Sequence, residues 1–314
     1  MRIVFLGTPV FAVKVLNELL LSKHEIVGVI TMPDRKGKRG KEVISSPVKE
    51  FSEKKGLKIF QFENINNQIK AIEDLKADIG VTAAFGQILK EEVLNIFKYG
   101  IINVHASILP KYRGASPVQS ALLNGEKEIG VTIMKTVLAV DAGDILNMKK
   151  ITLNGEEKTD ECLEKLAMLG GVAVVETLDA IESGLIKPVQ QDHEKASFCK
   201  KINKEDGEID FRKESAEEIF NKIRAFNPWP SVYFQSKYGQ MKIIDARAEG
   251  ENSFNEVYLP GKIIRITNQG LFVKCKKGVL EINRVQLEGG KALEIREFLL
   301  GRPFQINEEI LLKG

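Results

Sequence analysis

The first half of the chain alternates between short apolar runs and amphipathic stretches, a pattern that predicts βαβ units and a parallel sheet. Residues 2–6 form a nearly continuous apolar run, as expected for a strand covered on both faces. Gly7 ends this run, and the next two residues, Thr8 and Pro9, predict the N-cap and the first position of a helix. Further strands are predicted at residues 25–31, 79–84, 100–104 and 130–135, and a closing helix at 160–183.

The pattern changes after residue 188, where a polar and charged stretch has no sustained periodicity and is typical of a linker. A helix is predicted beyond it at residues 215–226. The short alternating segments that follow predict a small barrel or sandwich, with strands at 232–234, 241–248, 261–267, 271–275 and 279–285. The predicted domains are therefore residues 1–188 and 206–314, joined by a linker at 189–205.

The charge of the chain limits how it can hold a nucleic acid. Its 314 residues include 46 Lys and Arg against 43 Asp and Glu, a formal net charge of only +3. A nucleic-acid partner must therefore be held by local basic patches. No apolar run approaches the ~18 residues of a transmembrane helix, and the N-terminal run is too short for a signal peptide. We expect a cytoplasmic protein that does not enter a membrane.

Three cysteines, Cys162, Cys199 and Cys275, lie far apart in the sequence. Their odd number and wide spacing favour neither a disulfide framework nor a zinc site. We therefore expect all three to be reduced and buried, and we expect the protein to use no metal.

The first strand-to-helix turn is the place where a dinucleotide site would lie. Gly7 is not followed by the other glycines of a G-x-G-x-x-G motif, because Thr8, Pro9 and Val10 fill the turn. Without those glycines the backbone cannot approach a pyrophosphate closely. The sequence therefore disfavours NAD binding, although Asp34 follows the second strand where a ribose-binding carboxylate would lie.

Polar residues with catalytic potential follow the fourth predicted strand. Asn103 and His105 are two positions apart at the end of this strand, so their side chains share one face. Open α/β sheets bind ligands at the carboxyl ends of parallel strands. Asp141 follows the next strand and could orient and charge the imidazole. Alternatively, His105 is a core histidine whose hydrogen bonds are all made within the protein, and Asp141 is only a turn residue. The polar pair Asn103 and His105, with Ser107 close by, favours a catalytic site.

The same segment resembles the signature of the formyltransferases that use 10-formyltetrahydrofolate. The resemblance is carried by Asn103, His105, residues 107–110, Arg113-Gly114 and residues 141–144. In that family an Asn, a His two residues later and an Asp some thirty-odd residues further on form the catalytic set. Here His105 and Asp141 are 36 residues apart. Glycinamide ribonucleotide formyltransferase shares this pattern, so it indicates the reaction type and leaves the substrate open.

Other segments narrow the substrate. Residues 5–11, 33–35, 46–49 and 224–230 closely resemble the methionyl-tRNA formyltransferases, one branch of this family, and the similarity runs from residue 1 to about 310. That branch has a second domain, an OB-like barrel, which the purine-pathway enzyme lacks. The resemblance therefore implies a Rossmann-like α/β formyltransferase domain with a mainly parallel sheet, followed by a C-terminal OB-like β-barrel domain that binds tRNA.

The resemblance also implies a direct acyl transfer. The formyl group of 10-formyltetrahydrofolate would pass to the α-amino group of methionyl-initiator-tRNA, giving N-formylmethionyl-tRNA for translation initiation. Asn103 and His105 would donate hydrogen bonds to the formyl oxygen, and Asp141 would stabilise the charged imidazole. The implied folate contacts are Phe85, Gly86, Ile88, Ser107, Ile108, Leu109 and Pro110. Core packing is the alternative role for Phe85.

A basic segment after the second strand is the candidate contact with tRNA. Residues 35–41 contain five basic residues in seven positions, together with two glycines: Arg35, Lys36, Lys38, Arg39 and Lys41. Arg39 matches the family's loop arginine, which engages the top of the acceptor stem, and the lysines would contact phosphate. The predicted partners are therefore initiator methionyl-tRNA and the folate co-substrate, and we expect a monomer.

Two other functions stay open on the sequence. One is a formyltransferase that acts on a small amine, such as a nucleotide or an amino sugar. The other is a non-catalytic RNA-binding protein whose barrel and basic loop bind RNA. The presence of Asn103, His105 and Asp141 together argues against the second. The basic loop and the second domain argue against the first.

Three further side chains of types that are often functional are not assigned to the catalytic site. Trp229, between two prolines, is interpreted as a packing residue at the junction of the helix and the barrel, with base stacking as the alternative. His24 follows a helix, and His193 lies in the predicted linker. Neither histidine has a polar companion in the sequence that suggests catalysis.

Overall fold

The computed structural model describes residues 1–36, 43–250 and 258–312. The chain divides into two compact units. The first contains Met1–Pro117, Glu128–Leu153 and Glu161–Lys200, and the second contains Val118–Lys127, Asn154–Asp160 and Lys201–Gly314. Residues 189–200, which the polar composition assigns to a linker, therefore belong to the first unit.

The first unit is built on a seven-stranded sheet. Its strands, with two short pairs outside the sheet, are β1 (Arg2–Gly7), β2 (Glu25–Thr31), β3 (Arg35–Lys36), β4 (Val43–Ile44), β5 (Ile59–Gln61), β6 (Ile79–Ala83), β7 (Ile101–His105), β8 (Arg113–Gly114), β9 (Glu128–Lys135), β10 (Ile145–Thr152) and β11 (Phe198–Cys199). The order in the sheet is β10-β9-β7-β6-β1-β2-β5, and β3 pairs with β4 while β8 pairs with β11.

Most of this sheet is parallel, as predicted. Strands β7, β6, β1, β2 and β5 run in one direction. The strand predicted at 130–135 is present but runs antiparallel to β7, and a strand that the pattern does not predict, β10, pairs antiparallel with it. Strand β10 lies at the edge of the sheet and is only partly buried. Its sequence therefore mixes polar with apolar residues, and the apolar pattern alone did not predict it.

The helices up to residue 182 are α1 (Val10–Leu21), α2 (Pro47–Lys54), α3 (Ile69–Glu73), α4 (Glu91–Leu94), α5 (Pro117–Leu123) and α6 (Thr159–Glu182). Helix α1 buries one apolar face, which includes Phe11, Val15 and Leu19. Helix α6 matches the helix predicted at 160–183. Helix α2 is capped by Ser46, whose hydroxyl accepts a hydrogen bond from the Lys49 amide at 3.1 Å.

The start of α1 differs from the prediction. The N-cap is Pro9, and no side chain caps the helix. The Thr8 hydroxyl instead donates a hydrogen bond of 2.7 Å to the carbonyl of Phe85. This bond joins the turn after β1 to the turn after β6. The threonine therefore fixes two loops at the carboxyl edge of the sheet to each other, a role that its position in the sequence does not reveal.

The second unit is built on an antiparallel sheet. Its elements are α7 (Ala216–Ala225), β12 (Val232–Ser236), β13 (Gly239–Glu249), β14 (Ile263–Ile266), β15 (Leu271–Lys274), β16 (Val279–Leu287), β17 (Ala292–Glu294) and α8 (Ile295–Gly301). The strand order is β12-β13-β16-β15-β14, with β17 on β16. Ser215 and Glu218 cap α7 reciprocally, which confirms the helix predicted at 215–226.

Residues 307–312 close this sheet. On β14, the amide of Asn307 donates to the carbonyl of Ile263 at 2.7 Å, and the amide of Ile263 donates to the carbonyl of Glu308 at 2.9 Å. On β12, the carbonyl of Gln235 accepts from the amide of Leu312 at 2.8 Å. The segment therefore connects the two outer strands of the sheet, and the predicted barrel is confirmed.

The cysteines follow the prediction only in part. All three are thiols; Cys162 and Cys275 are buried, whereas Cys199, on the short strand β11, is half-buried. Burial raises the pKa of the Cys275 thiol to about 12. Within the described ranges, none of the helices combines the length and the apolar character needed to cross a membrane.

His24 has polar partners that the sequence does not suggest. Its side chain is fully buried, with Nδ1 3.2 Å from the N-terminal ammonium and Nε2 3.3 Å from Asp179. Glu182 accepts a hydrogen bond from the same ammonium at 3.0 Å. Burial first, and then the positive ammonium, hold the pKa of His24 below its ordinary value of 6.5. A metal ion would fit by distance among the side chains of His24, Asp179 and Glu182. However, the N-terminal ammonium already pairs with Glu182, and Lys23 pairs with Asp179.

Replacing His24 with Gln should flatten the pH dependence of stability in mildly acidic solution. Because the folded-state pKa is lowered, the unfolded chain binds the proton first, and the free energy of unfolding falls as the pH drops below 6.5. One proton limits this loss to about 1.4 kcal/mol per pH unit. Urea denaturation of both proteins between about pH 5 and pH 8 measures it. Parallel curves for wild type and His24→Gln would contradict the assignment.

Candidate active site

Asn103 occupies the carboxyl end of β7, in register with Thr82 of β6. The Thr82 hydroxyl donates a hydrogen bond of 2.8 Å to Asn103 Oδ1. Because the oxygen of the amide is held in this way, its Nδ2 group must point to the other side. Asn103 therefore offers N–H donors at the edge of the sheet, and such donors stabilise an oxyanion.

His105, at the end of β7, is held in one tautomer. The residue is only 6% exposed, and its Nε2 lies 2.9 Å from the main-chain carbonyl of Tyr112. A carbonyl oxygen can only accept a hydrogen bond, so Nε2 carries a hydrogen. The nitrogen that gains and loses a proton is therefore Nδ1.

Asp141 faces that nitrogen. Its Oδ2 lies 3.6 Å from His105 Nδ1, and its side chain is 15% exposed. This separation is longer than a hydrogen bond but short enough for the carboxylate to stabilise an imidazolium. Asp141 lies in the loop between β9 and β10, and its φ of 49° is in the left-handed region. The amide of Gly114 donates to Oδ2 at 2.8 Å and fixes the carboxylate.

Residues 107–110 form a loop that is separated from His105 by Ala106 alone. Ser107 and Leu109 are buried, whereas Ile108 and Pro110 are partly exposed. The Ser107 hydroxyl donates to the carbonyl of Lys111 at 2.7 Å, so it is used within the loop. The buried Thr132 of β9 donates to the Ser107 carbonyl at 2.7 Å and holds the loop against the sheet.

The turn after β6 carries the other predicted folate contacts. Phe85 is 5% exposed and belongs to the apolar core, so its side chain takes the packing role. Gly86 has a φ of 99°, which favours glycine, and Ile88 is 82% exposed. Large exposed apolar side chains also occur next to Asp141, at Leu138 and Val140. Such side chains are typical of surfaces that bind an apolar ligand.

The basic segment lies partly inside the described residues. Arg35 is exposed on β3, where it pairs with Ile44 of β4, and the Lys36 backbone continues the strand. Lys38, Arg39 and Lys41 lie outside the described residues. The structure therefore describes only the start of this segment, and the role of its five cations stays a prediction.

Asp34 anchors the start of the basic segment. Lys49 pairs with its Oδ2, and the Gln61 amide donates to its Oδ1 at 2.8 Å. The Lys49 ammonium and then the Gln61 amide hold the pKa of Asp34 below its ordinary value. Both carboxylate oxygens are therefore engaged within the protein. This agrees with the absence of a dinucleotide motif in the first turn.

Several residues around the site were missed by the sequence analysis. Thr82 could have been found from the register of two adjacent parallel strands, since it faces Asn103. The Tyr112 carbonyl gave no signal because it acts through the main chain, which any residue has. The buried Gln191 gave none because its contacts join loops distant in sequence. His193, to which the sequence assigned no role, accepts a hydrogen bond from Arg113 Nη2 at its Nδ1, at 3.1 Å. In the second unit, Trp229 is 56% exposed, which does not fit a role in packing alone.

Comparison with known families covers both units. The family described as formyl transferase matches residues 1–178, and the family described as formyl transferase, C-terminal domain, matches residues 201–303. In fold, the chain resembles an N-formyltransferase from Helicobacter canadensis crystallised with folinic acid and dTDP-3-aminofucose. That likeness has a TM-score of 0.67 at 19% identity, over 90% of this chain and 98% of the other.

Two relatives are similar over nearly their whole length. A methionyl-tRNA formyltransferase of a Sulfurihydrogenibium species is 41% identical over 98% of this chain and 99% of its own. The methionyl-tRNA formyltransferase of Natranaerobius thermophilus is 37% identical over 96% of this chain and 97% of its own. The chain therefore belongs to the formyltransferase family, within its methionyl-tRNA formyltransferase branch.

Proposed function

We propose that Asn103, His105 and Asp141 transfer the formyl group of 10-formyltetrahydrofolate to the α-amino group of methionyl-initiator-tRNA. The observation that supports this most directly is the arrangement of the three side chains at the carboxyl edge of the parallel sheet. An oriented amide donor and a histidine of fixed tautomer share one face of β7, and a carboxylate lies 3.6 Å from the exchanging nitrogen. These are the groups that an acyl transfer requires.

The reaction needs no covalent intermediate on the protein. The amine nitrogen attacks the formyl carbon, and the oxygen becomes negative as the tetrahedral intermediate forms. Asn103 Nδ2 donates to this oxygen. The bond from carbon to the folate N10 then breaks, and His105 gives its Nδ1 proton to N10. The proton lost by the amine passes to the site through Asp141, which restores the imidazolium.

We propose the folate contacts from the places that the predicted residues occupy in the fold. Gly86 leaves the backbone of its turn open to a flat ring, and Ile88 exposes an apolar side chain on the same turn. The loop at residues 107–110, which follows His105 along the chain, would supply further apolar surface. Leu109 would contribute its main-chain carbonyl, since its side chain is buried and its amide donates to Thr132. Ser107, whose amide and carbonyl are both bonded within the protein, would hold the loop in the shape that receives the folate. Phe85 would support the turn from the core.

The tRNA side depends on charge and on the second unit. We expect Arg35, Lys36, Lys38, Arg39 and Lys41 to contact the phosphates of the acceptor end. Residues 206–314 would bind the tRNA from the barrel, and residues 1–188 would carry the chemistry. The enzyme would act as a monomer in the cytoplasm, where charged initiator tRNA is used.

Replacing Asn103 or His105 with Ala should remove most turnover. Loss of an oxyanion donor lowers kcat by about 10²–10³, and loss of a general acid by about 10²–10⁴. The assay follows formyl transfer from 10-formyltetrahydrofolate to charged initiator tRNA, with a nucleotide-linked amino sugar and glycinamide ribonucleotide as the competing acceptors. Near-normal formylation by both folded variants would refute the roles, and preference for a small amine would refute the substrate.

Replacing Thr82 with Val should lower kcat about tenfold, the effect of one hydrogen bond of about 1.4 kcal/mol. Valine keeps the shape of the side chain but leaves Asn103 Oδ1 without this donor, so the amide is free to turn. Thr82→Ser is the matched control, because it keeps the hydroxyl. Equal activity of the Val and Ser variants would show that the orientation of Asn103 does not depend on this bond.

Replacing Arg35 and Arg39 together with Gln should raise the KM for tRNA and leave the KM for the folate unchanged. Each lost phosphate contact also lowers the slope of log KM against log salt by about 0.7–0.9. The matched control replaces Lys76 and Lys98, two exposed lysines before β6 and β7 at the opposite edge of the sheet. If the control and the Arg variant raise the tRNA KM equally, the loop has no special role.

A further inference from the structure

Gln191 connects two loops of the active site, although it lies in the polar segment that the sequence assigns to a linker. The residue is 3% exposed. Its Oε1 accepts hydrogen bonds from Arg113 Nε at 3.1 Å and from Arg113 Nη2 at 2.6 Å. Its Nε2 donates to the carbonyls of Asp141 at 2.9 Å and of Gly143 at 2.7 Å. All four contacts lie within the first unit.

The chemistry of the partners fixes how the Gln191 amide points. A guanidinium can only donate, so the amide oxygen must face Arg113. Carbonyls can only accept, so the amide nitrogen must face Asp141 and Gly143. In this orientation both N–H groups and the oxygen are used. No other side chain of similar length supplies a double donor and an uncharged acceptor in this arrangement.

These bonds complete a ring around Asp141. The Gly114 amide holds the carboxylate, and Arg113, the preceding residue, holds Gln191 through its side chain. Gln191 in turn holds the main chain of Asp141, which has the left-handed φ of 49°. The carboxylate and the backbone of Asp141 are therefore attached to the same two-residue strand, β8, by different routes.

We propose that Gln191 is a positioning residue for formyl transfer, which holds the Asp141 turn so that the carboxylate faces His105 Nδ1. Gln191 touches neither His105 nor the reacting atoms and acts through Asp141. This inference rests on the proposed function of the site. The distance it controls, 3.6 Å between Asp141 Oδ2 and His105 Nδ1, is the one that stabilises the imidazolium.

Gln191→Glu tests the proposal with little change in shape. Glutamate keeps an acceptor for Arg113, but its second oxygen faces the carbonyls of Asp141 and Gly143 and repels them. We expect kcat to fall about a hundredfold, because a displacement of about 1 Å has an effect of that size. We expect the KM values for the folate and the tRNA to stay unchanged. The matched control is Gln190→Glu, which makes the same charge change at the exposed neighbouring residue and should keep wild-type kcat.

A double-variant cycle separates positioning from a general loss of structure. If Gln191 acts through Asp141, then Gln191→Glu should reduce kcat little further in an Asp141→Asn background, because the two effects share one route. Additive losses would overturn the proposal. Gln191→Asn has the same amide on a side chain one carbon shorter, which cannot reach both partners. It should show the same selective loss of kcat, and it replaces the Glu variant if that protein does not fold.

The outcomes distinguish this inference from the function on which it rests. Wild-type kcat in the Gln191→Glu and Gln191→Asn proteins, with activity lost in Asp141→Asn, would overturn the role of Gln191 and leave the proposed function intact. Failure of the wild-type chain to formylate methionyl-tRNA would overturn the proposed function itself. A fall in kcat for Gln190→Glu equal to that for Gln191→Glu would show a charge effect and also overturn the positioning role.

Discussion

The hydrogen bond from His105 Nε2 to the Tyr112 carbonyl determines which chemistry this site can perform. It keeps a proton on Nε2 in both charge states, so only Nδ1, the nitrogen beside Asp141, can exchange one. The carbonyl is itself held, because Tyr112 donates its amide to the Ser197 hydroxyl at 2.9 Å. The tautomer of a residue on the central sheet therefore depends on a segment more than eighty positions further along the chain.

The three proposed catalytic residues are supported in different ways. Asn103 and His105 are on β7, where paired strands on both sides fix the backbone. Asp141 is on a loop in a conformation that costs an ordinary residue about 1 kcal/mol. Its position must therefore be maintained by hydrogen bonds from outside the loop, and Gly114 and Gln191 supply them. In the proposed mechanism, the strand supplies the oxyanion donor and the acid, and the loop supplies the charge that stabilises the acid.

The sequence predicted those parts of the molecule that depend on periodicity. The apolar runs located β1, β2, β6 and β7, and the spacing of Asn103 and His105 placed both on one face. The prediction of Thr8 as a helix cap was wrong, because its hydroxyl donates instead to the carbonyl of Phe85, which is distant in sequence. The position of Asp141 after the next strand made it a candidate, and the family resemblance supported it. Periodicity could not give its distance from His105, since that distance is set by contacts between loops.

The polar segment after residue 188 shows why composition can mislead about burial. A run rich in Gln, Asp, Lys and Glu is usually solvated, and most of this one is exposed. Gln191 is the exception, because a loop-built site contains main-chain carbonyls and a buried guanidinium that must find partners. Only a side chain with both donors and acceptors satisfies them together. A polar residue can thus be buried for the same reason that it is usually exposed, namely its need for hydrogen bonds.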